Sequence, residues 1–200
     1  MSGLERLARE AAGKYGLDPR LVCALCEVES DLIPTAQRHE AGYEWLIGFK
    51  QPAYRDVLYR RDILDAAGNW WMPDTGVLKN FGGVVIGDRA TILTELLNQQ
   101  TSVGPMQFMF ATARERGFKG RFAELFDPAM NLEWGCKHLR WMIDHNNAYG
   151  LPDYRIKPED LAAAWNGGAR IMEFVNAKPT GRYKNQSYVD RVVKAMEHYK

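Results

Sequence analysis

Leu4, Leu7, Ala8, Ala11 and Tyr15 recur at three- and four-residue spacing, which gathers them on one stripe of a helix turning about 100° per residue. Ser2 followed by Glu5 forms a capping-box pattern at the start of that helix, and Gly16 closes it. Asp18-Pro19 opens a second helix, an N-cap followed by proline at the first helical position. It runs to about Ser30 on Leu21, Val22, Leu25 and Val28. Helical spacing returns over residues 89–99, with Ile92, Leu93, Leu96 and Leu97, and over 106–116, ending at Gly117. Asp127-Pro128 begins a long helix through Leu132, Leu139, Met142 and Ile143. An Ala-rich helix spans 158–165 and stops at Asn166-Gly167-Gly168. A last helix over 187–199 turns Val189, Val192, Val193 and Met196 inward.

Residues 31–88 break this rhythm. They hold Pro34, Pro52, Pro73, several glycines, the turn-like Phe81-Gly82-Gly83, and Trp45, Trp70 and Trp71. Short helices near 44–49 and 51–67 and a short hairpin near 77–86 are expected there. The aromatic content is too high for a flexible linker, so the stretch is expected to be an ordered insertion lining or covering a cleft. The pattern predicts a mainly α, single-domain chain over 1–200 with little strand and no internal repeat.

Composition narrows the function by exclusion. The charges nearly cancel, with 26 Lys and Arg against 25 Asp and Glu, and no block of like charge reaches five residues, which argues against nucleic acid as a partner. No apolar run approaches a membrane span, and the first residues lack a charged leader followed by an apolar stretch. The chain is therefore expected to be made in a cytoplasm without a signal peptide. Aromatic residues make up 12%, enough to stack on sugar rings, although core filling accounts for most rings of this kind. Three cysteines is an odd number, against a disulfide framework. Cys23 and Cys26 have C-x-x-C spacing inside a helical pattern, and Cys136 with His138 complements them poorly, so structural thiols are expected. His39, His138, His145 and His198 are scattered, and no H-E-x-x-H occurs. No metal or cofactor is expected.

Glu29 is the informative residue. It shares a helix face with Val22 and Leu25, whereas Glu27 points nearly opposite, where water is expected. A carboxyl drawn out of water favours its neutral form and keeps a proton to donate near neutral pH. By itself the position also suits a structural ion pair with an arginine, so other residues must decide.

Glu29-Ser30, at the end of Leu-Val-Cys-Ala-Leu-Cys-Glu-Val-Glu-Ser, resembles the Glu-Ser motif of lytic transglycosylases of the soluble-transglycosylase and goose-type lysozyme-like superfamily. Ser102-Val103-Gly104-Pro105-Met106-Gln107-Phe108-Met109 resembles that family's Gly-Leu-Met-Gln element, and Ala111-Thr112-Ala113-Arg114 follows it. Phe126-Asp127-Pro128 through Asn131 and Gly135 to Leu139 resembles the next block. Ala164-Trp165-Asn166-Gly167-Gly168 resembles Ala-Tyr-Asn-x-Gly, and Tyr188-Val189 resembles the C-terminal Tyr-x-x-Val region. Pro105 and Trp165 depart from the usual Leu and Tyr. The span between Glu29 and Met106 is several times longer than in short members. With Arg38 to Trp45 and Thr94-Glu95 it resembles phage-borne members.

The resemblance implies a lysozyme-like helical domain that acts as a monomer on peptidoglycan glycan strands. Glu29 would be its catalytic acid, with Ser30, Ser102, Met106, Gln107, Trp165, Asn166 and Tyr188 as substrate-site residues. It also implies transfer to the muramoyl C6 hydroxyl, giving a 1,6-anhydro end, and action on the periplasmic or cell-wall peptidoglycan. Delivery would be by a phage particle or a holin, and the protein could be virion-associated. Two alternatives stay open. Glu95 or Glu40 could serve as a second carboxylate, making the protein a hydrolytic muramidase, or the chain could be an inactive wall-binding virion module.

Overall fold

The computed structural model describes residues 1–40, 43, 94–95, 97–145, 156–168 and 183–200. The expected helices near 44–49 and 51–67, the hairpin near 77–86, Trp45, Trp70 and Trp71 lie outside these residues. Helices carry the described chain: α1 (Gly3–Lys14), α2 (Pro19–Ser30), α3 (Phe110–Glu115), α4 (Pro128–Asp144), α5 (Pro158–Gly167) and α6 (Gln186–Met196), with a short 3-10 turn at Phe122–Phe126. Residues 94–95 and 97–99 are also helical.

The N-terminal punctuation works as its residues dictate. Ser2 Oγ accepts from the Glu5 amide at 3.1 Å and caps α1, while Asp18 caps α2 by accepting from the Arg20 amide at 2.9 Å. Asp127 likewise caps α4 through the Met130 amide at 3.0 Å, with Pro128 at the first helical position. α2 is the spine of the molecule. α1 packs along one side of it and α6 along another, and α4 and α5 complete the bundle. Leu21, Val22, Cys23, Ala24, Leu25 and Cys26 are each at most 1% exposed, so six consecutive residues of one helix are enclosed on all faces. They meet Leu132, Cys136, Leu139, Leu161, Tyr188 and Val192 in the main core.

A second, aromatic core lies under the short strands. Phe110 meets Phe118 and Phe122 edge-on at 6.0 and 5.2 Å, and Phe118 meets Trp134 edge-on at 5.2 Å, the geometry in which ring edges face ring π-clouds. Trp165 and Met106 lie where the two cores adjoin. Cys23, Cys26 and Cys136 are free and buried. Burial pushes the Cys23 thiol up to about 11 and the Cys136 thiol to about 12, so neither offers the thiolate that a metal or redox partner requires.

Three features correct the sequence reading. A small antiparallel sheet was not anticipated: β1 (Gln37–His39), β2 (Thr101–Val103) and β3 (Phe108–Met109) lie in that order, with Arg38 opposite Ser102 and Ser102 opposite Met109. Residues 106–109 are consequently not the start of a helix. Gly104 at φ +75° and Gln107 at φ +46° fold the chain back as a β2–β3 turn, and the helix begins only at Phe110. Glu27, expected in water, is about 30% exposed at its side chain. It accepts from Tyr199 Oη at 2.8 Å and lies 3.0 Å from His198 Nδ1, because the end of the chain folds back over α2.

Candidate active site

The end of α2 is held by an unusual run of backbone. Asp31 (φ 51°) and Leu32 (φ 62°) both adopt the left-handed region. The Asp31 amide reaches Glu27 O at 2.9 Å and the Leu32 amide reaches Cys26 O at 3.3 Å, an αL-type closure with Asp31 where glycine is usual. Among the described residues the non-glycine positions with positive φ are Asp31, Leu32 and Gln107, and all three belong to the two segments that meet at Ser30. Such strain persists only where surrounding contacts enforce it, and it concentrates at functional sites.

Ser30 supplies one of those contacts. Its hydroxyl hydrogen is shared between the carbonyls of Cys26 and Pro105, each 2.8 Å away, and the residue is buried. Ser30 thus ties the end of α2 to the β2–β3 turn. The turn is fixed from its other side by Asn131, which is fully enclosed. Asn131 Oδ1 accepts from the Met106 amide at 3.1 Å, and its Nδ2 donates to Val103 O at 2.8 Å. The chain can pass so closely only at Gly104, where a Cβ would come within 2.4 Å of Asn131 Nδ2.

Met106 and Ser102 are likewise built into the packing. Met106 has no exposed surface, and its sulfur fills the space that a side chain at Gly135 would need, 2.3 Å from an ideal Cβ there. Ser102 is 2% exposed and its hydroxyl lies between Gln107 Oε1 at 3.0 Å and Arg38 O at 3.2 Å, joining the turn to β1. Gln107 donates through Nε2 to Gly104 O at 3.0 Å and is also buried, so its amide braces the turn from within. Trp165 is half-buried, with its ring stacked on Phe108 at 5.7 Å. Asn166 is exposed at the end of α5, and its Oδ1 accepts from Asn185 Nδ2 at 3.0 Å.

Glu29 is half-buried in the last turn of α2. Tyr188, which is 5% exposed on α6, donates its hydroxyl to Glu29 Oε1 at 2.5 Å. Burial pushes the Glu29 carboxyl above the usual carboxylate range. The Tyr188 hydrogen bond and the charges of Arg38 and Arg191 oppose that shift without cancelling it, and Glu40 adds to it. The carbonyl-rich end of α2 works in the same direction as burial. Because Tyr188 already donates to Oε1, the proton of the neutral acid belongs on Oε2, which no described residue engages. The Tyr188 hydroxyl is itself held well above its ordinary value by burial and by Glu29, so it remains a donor.

The two expected second carboxylates part company. Glu95 is 6% exposed and clamped by Arg114, whose Nε and Nη2 reach its two oxygens at 2.8 and 3.1 Å. Gln99 Nε2 adds a third donor at 3.1 Å. Glu40 follows β1, is only partly exposed, pairs with Arg38, and is close enough for its charge to act on Glu29. Sequence reasoning missed Arg38, Arg114, Asn131 and Arg191 as site-shaping residues. Of these Arg38, Arg114 and Asn131 fell in segments that had drawn notice, as parts of motif blocks, and Arg191 did not.

Residues 90–187, just under half of the chain, match the family model described as Transglycosylase SLT domain. No curated protein and no solved structure matches the chain. The matched span contains the β2–β3 turn, Asn131, Trp165 and Asn166, whereas Glu29, Ser30 and Tyr188 lie outside it.

Proposed function

We propose that the chain, whose residues 90–187 match the Transglycosylase SLT domain, is a peptidoglycan lytic transglycosylase that cuts the glycan strand between N-acetylmuramic acid and N-acetylglucosamine with Glu29 as acid and then base. The observation that carries the reading is the half-buried Glu29 carboxyl, raised in pKa and held by the Tyr188 hydroxyl at 2.5 Å, where α2 abuts the turn of the matched domain.

Glu29 Oε2 gives its proton to the bridging oxygen as the C1–O bond breaks. The carboxylate then takes the proton of the muramoyl C6 hydroxyl as that oxygen bonds to C1, leaving a 1,6-anhydro end and a restored acid. A raised pKa serves both halves, since it keeps the proton available and makes the carboxylate a better base. The nucleophile comes from the substrate, so no second carboxylate is required. In this reading Asn166 donates to an acetamido carbonyl, and Trp165 offers a ring edge to a sugar. We place the catalytic unit in one domain over 1–200, with the 31–88 segment lining the cleft. The pairing of β1 with β2 and the charges that Arg38 and Glu40 bring to Glu29 support that placement. No helix among the described residues is long and apolar enough to cross a membrane. Carriage by a phage particle or a holin rests on the resemblance of the long segment to phage-borne members.

One observation favours a second reading. Glu40 lies within electrostatic reach of Glu29, and if it activated water the protein would be a muramidase. Mass spectrometry of fragments released from purified sacculi separates the two: anhydro ends, one water lighter, are expected, and reducing ends throughout would establish the hydrolase.

Tyr188→Phe tests the partner of the acid. Loss of the hydroxyl removes a donor that favours ionised Glu29, so the pKa of Glu29 rises further. The alkaline limb of the kcat/KM profile, where the acid loses its proton, is expected to move to higher pH. With the carboxyl less firmly aimed, kcat should fall by about tenfold or more, the low end of general acid–base contributions. An alkaline limb that stays fixed would show that Tyr188 does not govern this proton.

A further inference from the structure

Arg191 stands on α6 one turn beyond Tyr188, and its guanidinium carbon lies 5.6 Å from the centre of the Tyr188 ring. The residue is exposed and, among the described residues, makes no ion pair. Its situation differs from that of Arg38, the other guanidinium whose charge reaches Glu29. Arg38 is paired with Glu40, so much of its field at the acid is offset on the spot. From α6, Glu29 faces Tyr188 and Arg191; from β1, Arg38 and Glu40; within α2, the Cys26 thiol. Around an acid that works in its neutral form, Arg191 is thus the positive charge without a local counterpart.

A bare cation in that place works against the acid, because it favours ionised Glu29. A counter-charge supplied by the substrate would resolve the conflict. Peptidoglycan strands carry such groups on the muramic acid side: carboxylates of the stem peptide or, where the peptide has been removed, the lactyl carboxylate itself. A guanidinium fork with free N–H groups suits a carboxylate in particular. We propose that Arg191 is the docking point for a carboxylate of the substrate strand, held beside the Glu29–Tyr188 pair. The inference rests on the glycan-cutting reading and adds to it that the site selects anionic strands. Docking neutralises Arg191, so arrival of the correct substrate also lets Glu29 hold its proton more firmly, which neutral chitin-like oligomers would not do.

Binding tests this apart from cleavage. Soluble strand fragments in four forms are titrated calorimetrically into the Glu29→Gln protein: peptide-bearing, amidase-stripped with the lactyl carboxylate free, and each of these with its carboxylates converted to amides. The anionic form that docks on Arg191 is expected to bind about fivefold more tightly than its amidated counterpart, the scale of one exposed charge pair. The gap should close as salt is raised. Adding Arg191→Gln should abolish the preference, and Arg191→Lys should retain part of it. Whichever fragment loses affinity, peptide-bearing or stripped, identifies the source of the carboxylate. An unchanged anionic-to-amidated ratio in folded Arg191→Gln protein overturns the proposal. The same fragments given to protein with Glu29 intact test the underlying reading separately: a binding preference without any cleavage would defeat the glycan-cutting function while leaving the docking of carboxylates standing.

Discussion

Glu29→Gln should reduce the release of soluble fragments from purified sacculi by about 10³-fold or more, within or beyond the 10²–10⁴ range that a positioned acid–base group contributes. The amide keeps the shape of the side chain and can still accept from Tyr188 through its oxygen, so the bond seen at 2.5 Å has a successor. What disappears is the transferable proton and the base that recovers it, and both halves of the reaction need the same atom pair. Folding should survive. The carboxyl has its pKa raised in the folded protein. The sign then follows: whatever the neutral acid contributes is fully present at low pH and is lost as pH rises through the folded-state pKa, where a charge is forced into a half-buried place. A neutral amide escapes that cost. The variant should therefore melt no lower than the parent at neutral pH, with any advantage vanishing in acid. Thermal melts at two pH values beside turbidity clearing would check both statements, and clearing at the parental rate by well-folded Glu29→Gln would remove Glu29 from the mechanism.

The helices were largely legible because their signals are local. Ser2, Asp18 and Asp127 cap through their own side chains a few residues away, and a 3.6-residue stripe such as Leu21, Val22 and Leu25 announces burial without knowledge of the partner. Glu29 was legible for the same reason, as a carboxyl on the buried stripe. The sheet was not. Strands of two or three residues carry too few positions to show alternation, and β1 is exposed throughout, so its pairing with β2 is fixed by contacts distant in sequence. Motif position draws Met106 and Ser102 into the site but does not say what each touches there. Burial decides that, and Asn131, Gly104 and Gly135 set the burial from other segments. Glu95 shows the limit most clearly, since nothing local marks which arginine will meet it.

That arginine is the subject of the other large effect expected. Arg114→Met should destabilise the fold by about 3–5 kcal/mol, the usual result of stripping one partner from a buried ion pair. Arg114 and Glu95 have side chains only 2% and 7% exposed. The guanidinium also donates to Phe118 O and Gly120 O at 2.8 Å each and lies 4.3 Å above the Phe110 ring. Methionine fills part of the volume but leaves the Glu95 carboxylate enclosed with Gln99 Nε2 as a remaining donor, along with two carbonyls that have lost theirs. At roughly 2–4 °C per kcal/mol for a chain of this size, the melting temperature should drop by about 6–20 °C. Coupling is the sharper measurement. Glu95→Leu together with Arg114→Met removes both charges, and replacing a buried pair by apolar residues is often nearly neutral, so the double variant should recover much of what the single one loses. Glu95→Gln then divides structure from chemistry. If Glu95 serves only to bind Arg114, turnover per folded molecule well below the melting temperature should stay within about threefold of the parent. A catalytic base lost at this position would cost about 10²-fold or more. Both Glu95 oxygens are engaged by Arg114, so the clamp that stabilises the domain is also what argues against Glu95 as the second carboxylate of a hydrolase.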